Sequence, residues 1–128
     1  MCLARSPECA GTECLAGASC ECGGGLACAD QPVPDKVDVL FGAACETLRL
    51  AGSVVPDDTV PTPARLRTAK ATARSARSAM QKTARAARRL VASGDMSPAC
   101  SRAVLTKVRM VKQAVPRGRD LRRCVFGG

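Results

Sequence analysis

The sequence predicts a mainly α-helical protein, in which a helical hairpin and one shorter helix follow an irregular cysteine-rich segment. Apolar residues recur at helical spacing in three stretches between residues 35 and 115, and capping residues bound those stretches. Six of the nine cysteines lie within residues 2–28. Leu, Val and Phe make up 24 of the 128 residues, and Ile is absent. Because these residues cannot build a large core, we expect cross-links, a metal or a partner to supply part of the stability.

The cysteine-rich segment, residues 1–34, shows neither helical nor strand periodicity. A Gly-Gly-Gly run and two prolines favour loops in it, so it needs staples to be ordered. Its cysteines have three alternative states: disulfides, a metal-thiolate site, or reduced thiols in a flexible segment. We expect Cys45 and Cys100, on the predicted helices, to face inward and to lie close enough to meet. The full thiol cluster is Cys2, Cys9, Cys14, Cys20, Cys22, Cys28, Cys45 and Cys100.

The cysteine spacing of residues 2–28 is C-x6-C-x4-C-x5-C-x-C-x5-C. This spacing resembles that of knottins, and among them it is most similar to the squash-type trypsin inhibitors. The shared features are the six-residue first loop, the single residue between the fourth and fifth cysteines, and the five residues before the last. The resemblance implies an inhibitory loop that contains Arg5 and Ser6. It also implies the bridges Cys2–Cys20, Cys9–Cys22 and Cys14–Cys28.

A metal site is the weaker alternative for the same cysteines. Zinc sites usually draw two ligands from a C-x2-C or C-x4-C turn, and Cys9-x4-Cys14 is the only such turn in the sequence. We therefore expect no cofactor, with zinc as the alternative. The sequence has no His, so the usual Cys-His dyad cannot form and we expect no enzymatic activity. Cys124, flanked by Arg122 and Arg123, is the thiol whose neighbouring charge favours the reactive thiolate.

Residues 35–52 are predicted to form the shorter helix. We expect Asp35 to be its N-cap and Gly52 to end it. Residues 53–63 contain three prolines and are predicted to be a linker. The apolar face of this helix is Val37, Leu40, Phe41, Ala44, Leu48 and Ala51.

Residues 64–128 are predicted to form the basic helical hairpin and an Arg-rich tail, beginning with a long helix. We expect Thr62 to cap that helix, Pro63 to take its first position and Gly94 to follow its end. Its many alanines favour helix, and small residues on one face permit close packing. This seam is Leu66, Ala69, Ala73, Ala76, Met80, Ala84, Ala87 and Val91.

The second helix of the hairpin is predicted to start with Ser97 as its cap and Pro98 in its first turn. Pro116 ends it, and the tail RGRDLRRCVFGG follows. Arg102 and Arg109 lie on its solvent side. The inward face is Cys100, Val104, Val108, Val111 and Val115.

Charge divides the chain into an acidic and a basic half. Residues 1–60 carry 3 basic and 9 acidic side chains, whereas residues 61–128 carry 17 basic and 2 acidic ones. The long helix has basic residues at helical spacing immediately beside its apolar seam, one residue step around the helix. Together with the tail, the predicted anion-binding residues are Arg67, Lys70, Arg74, Arg77, Arg85, Arg88, Arg117, Arg119, Arg122 and Arg123.

These charges predict a non-enzymatic binding protein whose helices engage an anionic macromolecule, either the backbone of a nucleic acid or an acidic protein surface. Aromatic stacking platforms are lacking, so contact with the backbone is expected rather than readout of bases. Two alternatives remain open. The basic stripe is a merely solvated face, or the protein is a secreted disulfide-rich effector or protease inhibitor that acts through residues 2–28.

No apolar run in the sequence approaches the length of a membrane span, so we expect none. The compartment depends on the N-terminus: the protein is intracellular if Met1 is its native start, and secreted if the chain is a mature form. The sequence sets no oligomeric state.

Overall fold

The computed structural model describes Leu15, residues 18–53 and residues 63–126, without the side chains of residues 51–53 and 124–126. Within these ranges the protein is mainly α-helical, without strands, and its N-terminal segment is irregular, as the sequence predicts. A 3₁₀ turn at Ser19–Cys22 precedes four α-helices in this part of the chain. They are α1 (Asp35–Ser53), α2 (Pro63–Ser93), α3 (Pro98–Ala114) and α4 (Gly118–Phe126).

Both ends of α1 differ by one residue from the prediction, since the helix includes Gly52 and ends at Ser53. Asp35 is the first residue of the helix instead of its N-cap, and the Pro34 carbonyl accepts the N–H groups of Val37 and Asp38, each at 3.0 Å. Asp35 and Asp38 therefore both lie in the first turn, where a carboxylate is favoured by the positive end of the helix dipole. The predicted face is confirmed for Val37, Phe41, Ala44 and Leu48, which are buried, and Leu40, which is partly buried.

The ends of α2 lie where the sequence predicts them. Pro63 is its first residue, and Gly94 follows its last residue with a φ of 83°, a left-handed conformation that glycine adopts without strain. The Leu90 carbonyl accepts the N–H groups of Asp95 and Met96 at 2.8 and 3.2 Å, which closes the end of the helix. Residues 54–62, which include the predicted cap Thr62 and most of the predicted linker, lie outside the described residues.

The buried face of α2 is wider than the predicted seam. The six central seam residues are buried, and Leu66 and Val91 pack partly buried against them. Thr83 and Ala86 are buried as well, because α2 packs against both α1 and α3. The Thr83 hydroxyl donates to the Ala79 carbonyl at 2.9 Å, so this polar side chain carries no unsatisfied donor into the core.

The hairpin of α2 and α3 is confirmed, with a short turn from Gly94 to Ser97 between the helices. Ser97 is the N-cap of α3, since its side chain accepts the Cys100 N–H at 3.0 Å. The predicted inward face of α3 is buried at every position, and Arg102 and Arg109 are exposed. Arg77 and Pro116 lie on opposite sides of this turn, at nearly the same number of residues from it, and they are hydrogen-bonded. The two helices therefore run antiparallel.

The predicted Arg-rich tail is in fact helical from Gly118 to Phe126, so the three-helix arrangement was incomplete. Gly118 has a φ of 47°, which turns the chain after Pro116. The Arg117 carbonyl then accepts the N–H groups of Asp120 and Leu121 at 2.9 and 3.2 Å. The helix forms because Leu121, only 2 % exposed, anchors it in the core as α4 packs against α2.

The N-terminal segment completes the core. Its 3₁₀ turn packs against α1 and α3, and Leu15 and Ala18 are fully buried. Leu26 and Val33 are partly buried against the same core. None of the helices in the described ranges combines the length and apolar character needed to cross a membrane.

Candidate anion-binding surface

The basic stripe of α2 consists of Arg67, Lys70, Arg74, Arg77, Arg85 and Arg88. All of these side chains are exposed except that of Arg77, which is half-buried. Successive stripe residues are three or four positions apart, except that Arg77 and Arg85 are separated by two such steps. This helical spacing keeps the stripe along one edge of the buried seam. A single face of one long helix therefore presents all six cations.

In the described part of the chain, no carboxylate pairs with these charges. α2 contains nine basic residues and no acid, and α3 contains four basic residues and no acid. The side chain of Glu46 pairs with Arg49 inside α1. Among the described residues, none of the six stripe residues forms an ion pair, and neither does Glu21, Asp30, Asp35 or Asp38 of the acidic half.

Arg77 differs from the rest of the stripe because it is fixed in place. Its Nη1 donates to the Pro116 carbonyl at 3.2 Å, across 39 residues of sequence. Partial burial lowers the pKa of Arg77 below its usual value, and the positive charges of Arg117 and Arg74 lower this pKa further. Arg77 therefore lies at the corner between α3 and α4, with two other arginines close by.

Three of the ten predicted anion-binding residues lie at this corner, because Arg74 is one turn before Arg77 on α2 and Arg117 follows the Pro116 whose carbonyl Arg77 contacts. We call Arg74, Arg77 and Arg117 the arginine cluster. Arg85 and Arg88 lie further along the same helix, about 12 and about 16 Å from Arg77 at a rise of 1.5 Å per residue. Three more of the predicted anion-binding residues are exposed on α4 but do not belong to the arginine cluster: Arg119, Arg122 and Arg123.

The described cysteines of the N-terminal segment are disulfide-bonded. Cys22 pairs with Cys45 of α1, and Cys28 pairs with Cys100 of α3. Cys20 is also in a disulfide, whose partner lies outside the described residues. The expectation that Cys45 and Cys100 meet each other is wrong, because each bonds to the segment that packs over the helices.

The two bridges also differ from those that the knottin resemblance implies. That resemblance pairs Cys22 with Cys9 and Cys28 with Cys14, whereas here both cysteines reach helices. The physical reason is that the segment shares a core with the bundle, so its thiols lie beside α1 and α3. Several predicted residues lie outside the described residues or side chains: Cys2, Cys9, Cys14, Arg5, Ser6 and Cys124.

In the described part of the chain, no three Cys, Asp or Glu side chains lie close enough together to hold a zinc ion. Cys22, Cys28, Cys45 and Cys100 are occupied by disulfides. A disulfide sulfur is not the thiolate that zinc requires.

Two polar contacts that the sequence did not predict fasten the N-terminal segment to α3. The Lys107 Nζ donates to the Gly23 carbonyl at 2.8 Å. The Ser97 N–H donates to the Gln31 Oε1 at 2.6 Å. The two residues of each contact are 84 and 66 positions apart in the sequence, so no local sequence pattern could indicate either contact.

Comparisons with models of protein families, with curated proteins and with solved structures find no match to this chain.

Proposed function

We propose that the protein is a non-enzymatic binding protein whose basic stripe engages the phosphate backbone of a nucleic acid. The observation that carries the proposal is the charge of α2, a helix with no acid and nine cations, six of which form the basic stripe along the edge of its buried face. Such a helix repels itself, and a polyanion relieves that repulsion while releasing its condensed counterions.

The composition of the stripe supports a phosphate ligand. Five of its six residues are arginine, whose planar guanidinium fork matches phosphate oxygens. Carboxylates match the same fork, so an acidic protein surface is the competing partner. A row of charges along one long helix fits the continuous charge of a nucleic-acid backbone better than it fits scattered carboxylates.

The test is binding of a labelled DNA duplex, followed by fluorescence anisotropy over a range of salt concentrations. The variant is Arg74→Glu with Arg85→Glu, at two exposed stripe positions. Arg77 is left unchanged because its hydrogen bond to Pro116 holds the corner of α3 and α4. We expect binding to weaken by about tenfold or more, and the slope of log K against log salt to fall by about 2, as two phosphate contacts are lost.

The matched control is Lys82→Glu with Arg89→Glu, which changes the net charge equally at two exposed α2 positions outside the stripe. We expect a much smaller loss there, and unchanged helical content in both variants by circular dichroism. Equal losses in the two variants would show that net charge, and not the stripe, controls binding. Binding of polyglutamate with no binding of the duplex would assign the surface to an acidic protein instead.

One observation favours a second candidate, the secreted disulfide-rich effector or inhibitor. The N-terminal segment is cross-linked to the helices by two bridges, which is typical of proteins from oxidising compartments. In this candidate the helices are a support and residues 2–28 act. A trypsin-inhibition assay tests its sharpest form, with loss of inhibition expected in Arg5→Ala; no inhibition by the wild-type protein would remove it.

A further inference from the structure

We propose that the arginine cluster, Arg74, Arg77 and Arg117, is a binding site for a phosphomonoester, the dianionic phosphate at the end of a nucleic-acid strand or on a mononucleotide. The inference deepens the proposed function and rests on it, since two of the three residues belong to the basic stripe. It goes further because it assigns one position on the stripe to one chemical group.

The cluster is built from two separate elements that the fold holds in contact. Arg74 and Arg77 are one turn apart on α2, and Arg117 follows Pro116 at the entry to α4. The hydrogen bond from Arg77 to the Pro116 carbonyl joins the two elements at 3.2 Å. Burial of Leu121 keeps α4 on α2, so Arg117 stays beside Arg77 without a ligand. Such preorganisation reduces the conformational entropy that binding would otherwise cost.

Donor groups remain open to a ligand. Pro116 uses one of the five N–H donors of Arg77, and the other four have no partner among the described residues. Arg74 and Arg117 are exposed and form no ion pair in the same part of the chain. Arg77 is therefore the half-buried member of the cluster, and Arg74 and Arg117 are its solvent-exposed members.

Charge selects the ligand class. The acid closest to the cluster in sequence, Asp120, forms no ion pair with a described residue, so no ion pair in this part of the chain neutralises the three positive charges of the cluster. A phosphomonoester carries a charge of about −1.5 to −2 and three strong acceptor oxygens. A carboxylate or an internal phosphodiester offers about one negative charge and two such oxygens, which is a poorer match for three guanidiniums.

The experiment compares two single-stranded oligonucleotides of the same sequence, labelled at the 3′ end, with and without a 5′-phosphate. Affinity is measured by anisotropy for the wild-type protein, for Arg117→Ala and for Arg74→Ala. We expect the wild-type protein to bind the phosphorylated strand about tenfold more tightly, the scale of one charged hydrogen bond, and both variants to lose this preference. Arg109→Ala, an exposed arginine on α3, should retain it.

The outcomes separate this inference from the proposed function. Equal, salt-dependent affinity of the wild-type protein for both strands would overturn the phosphomonoester site and leave the stripe in place. If neither these strands nor the duplex binds, the proposed function fails, and titration calorimetry with adenosine 5′-monophosphate against adenosine decides the site. Saturable binding of the nucleotide that Arg117→Ala abolishes would support the cluster as a mononucleotide site; no binding would overturn it.

Discussion

Ser97 connects the start of α3 to the N-terminal segment through two hydrogen bonds. Its side chain accepts the Cys100 N–H at 3.0 Å, which satisfies one of the free donors of the first helical turn. Its own N–H donates to Gln31 at 2.6 Å, so the segment before α1 is fixed at the same point. The Cys28–Cys100 bridge lies one turn further along.

Replacing Ser97 by Ala should lower the free energy of unfolding by about 1 kcal/mol, the usual cost of losing an N-cap side chain. The measurement is urea denaturation followed by circular dichroism. Ser78→Ala is the control, because Ser78 is exposed in the middle of α2, where alanine is slightly the better helix former. An equal effect of the two substitutions would mean that the cap contributes nothing.

At this scale the sequence predicts what is local. The Ser97-Pro98 pair indicates a cap and a first helical turn, and the structure confirms both. The contact of Ser97 with Gln31 could not be predicted, because no local sequence pattern relates two residues that are 66 positions apart. The Asp35 cap was wrong by one position, a difference that sequence patterns rarely resolve.

At the level of elements, α2 depends on its alanines. Ala69, Ala73, Ala76 and Ala87 are fully buried, so neighbouring helices approach the α2 backbone closely. Each alanine buries little apolar area, so most of its stabilising effect comes from van der Waals contacts between closely packed helices. The same closeness leaves no room for a larger side chain.

Ala73→Leu should therefore destabilise the protein by about 1–3 kcal/mol, the usual cost of overpacking a tight core. Ala71→Leu provides the control, since Ala71 is exposed on the same helix and leucine is nearly as good a helix former. Thermal unfolding of both variants is the measurement. A Tm of Ala73→Leu at or above that of the control would show that the seam is loosely packed.

In the described part of α4, Leu121 is the large apolar side chain that lies in the core. Leu121→Ala should release α4 from α2, because Leu121 is fully buried and its neighbours in the described part of α4 are charged. Hydrogen exchange should then show rapid exchange of the α4 amides while α2 and α3 stay protected. Arg119→Ala, at an exposed position, should leave the α4 amides as slow as in the wild-type protein. Protection of α4 in Leu121→Ala would contradict this account.

The sequence did not predict α4 because its local signals conflict. Gly118 is a poor helix former, and Leu121 and Val125 give apolar spacing over one turn only, which is too short to establish a periodicity. The longer helices were predicted because their apolar repeats run over several turns. At Thr83 and Ala86 the prediction of α2 was too narrow, since it assumed one neighbouring helix and the fold supplies two.

For the whole molecule, the two described bridges replace part of the core that the composition cannot provide. Cys22–Cys45 spans 23 residues and Cys28–Cys100 spans 72. In the chain-entropy model a longer loop gives more stabilisation, about 3 kcal/mol for the first bridge and about 4 kcal/mol for the second. Both attach the N-terminal segment to the helices.

Replacing both cysteines of a bridge by alanine tests this ranking. Cys28→Ala with Cys100→Ala should cost more unfolding free energy than Cys22→Ala with Cys45→Ala, by urea denaturation under non-reducing conditions. Intact mass before and after reduction serves as the control that each variant has lost one bridge, at about 2 Da per bridge. A larger loss for the shorter loop would contradict the chain-entropy account.

The candidate site was predictable only in part. Helical spacing gave all six stripe positions, because a repeat on one helix is visible in the sequence. The arginine cluster was not predictable, because Arg117 reaches Arg77 only when α3 returns along α2 and places Pro116 against it. The disulfide pairing was equally hidden, since it depends on which helices the N-terminal segment covers.

The Cys28–Cys100 bridge has a consequence for biosynthesis. Its partners are 72 residues apart, so at about 5–20 residues per second Cys28 is made roughly 4–14 s before Cys100. Cys45, the partner of Cys22, is made within this interval, whereas Cys28 can meet only thiols other than its own partner until Cys100 is made. Wrong pairs formed then must be exchanged by thiolate attack. The yield of native protein should therefore be limited by disulfide isomerisation, and not by the rate at which its helices form.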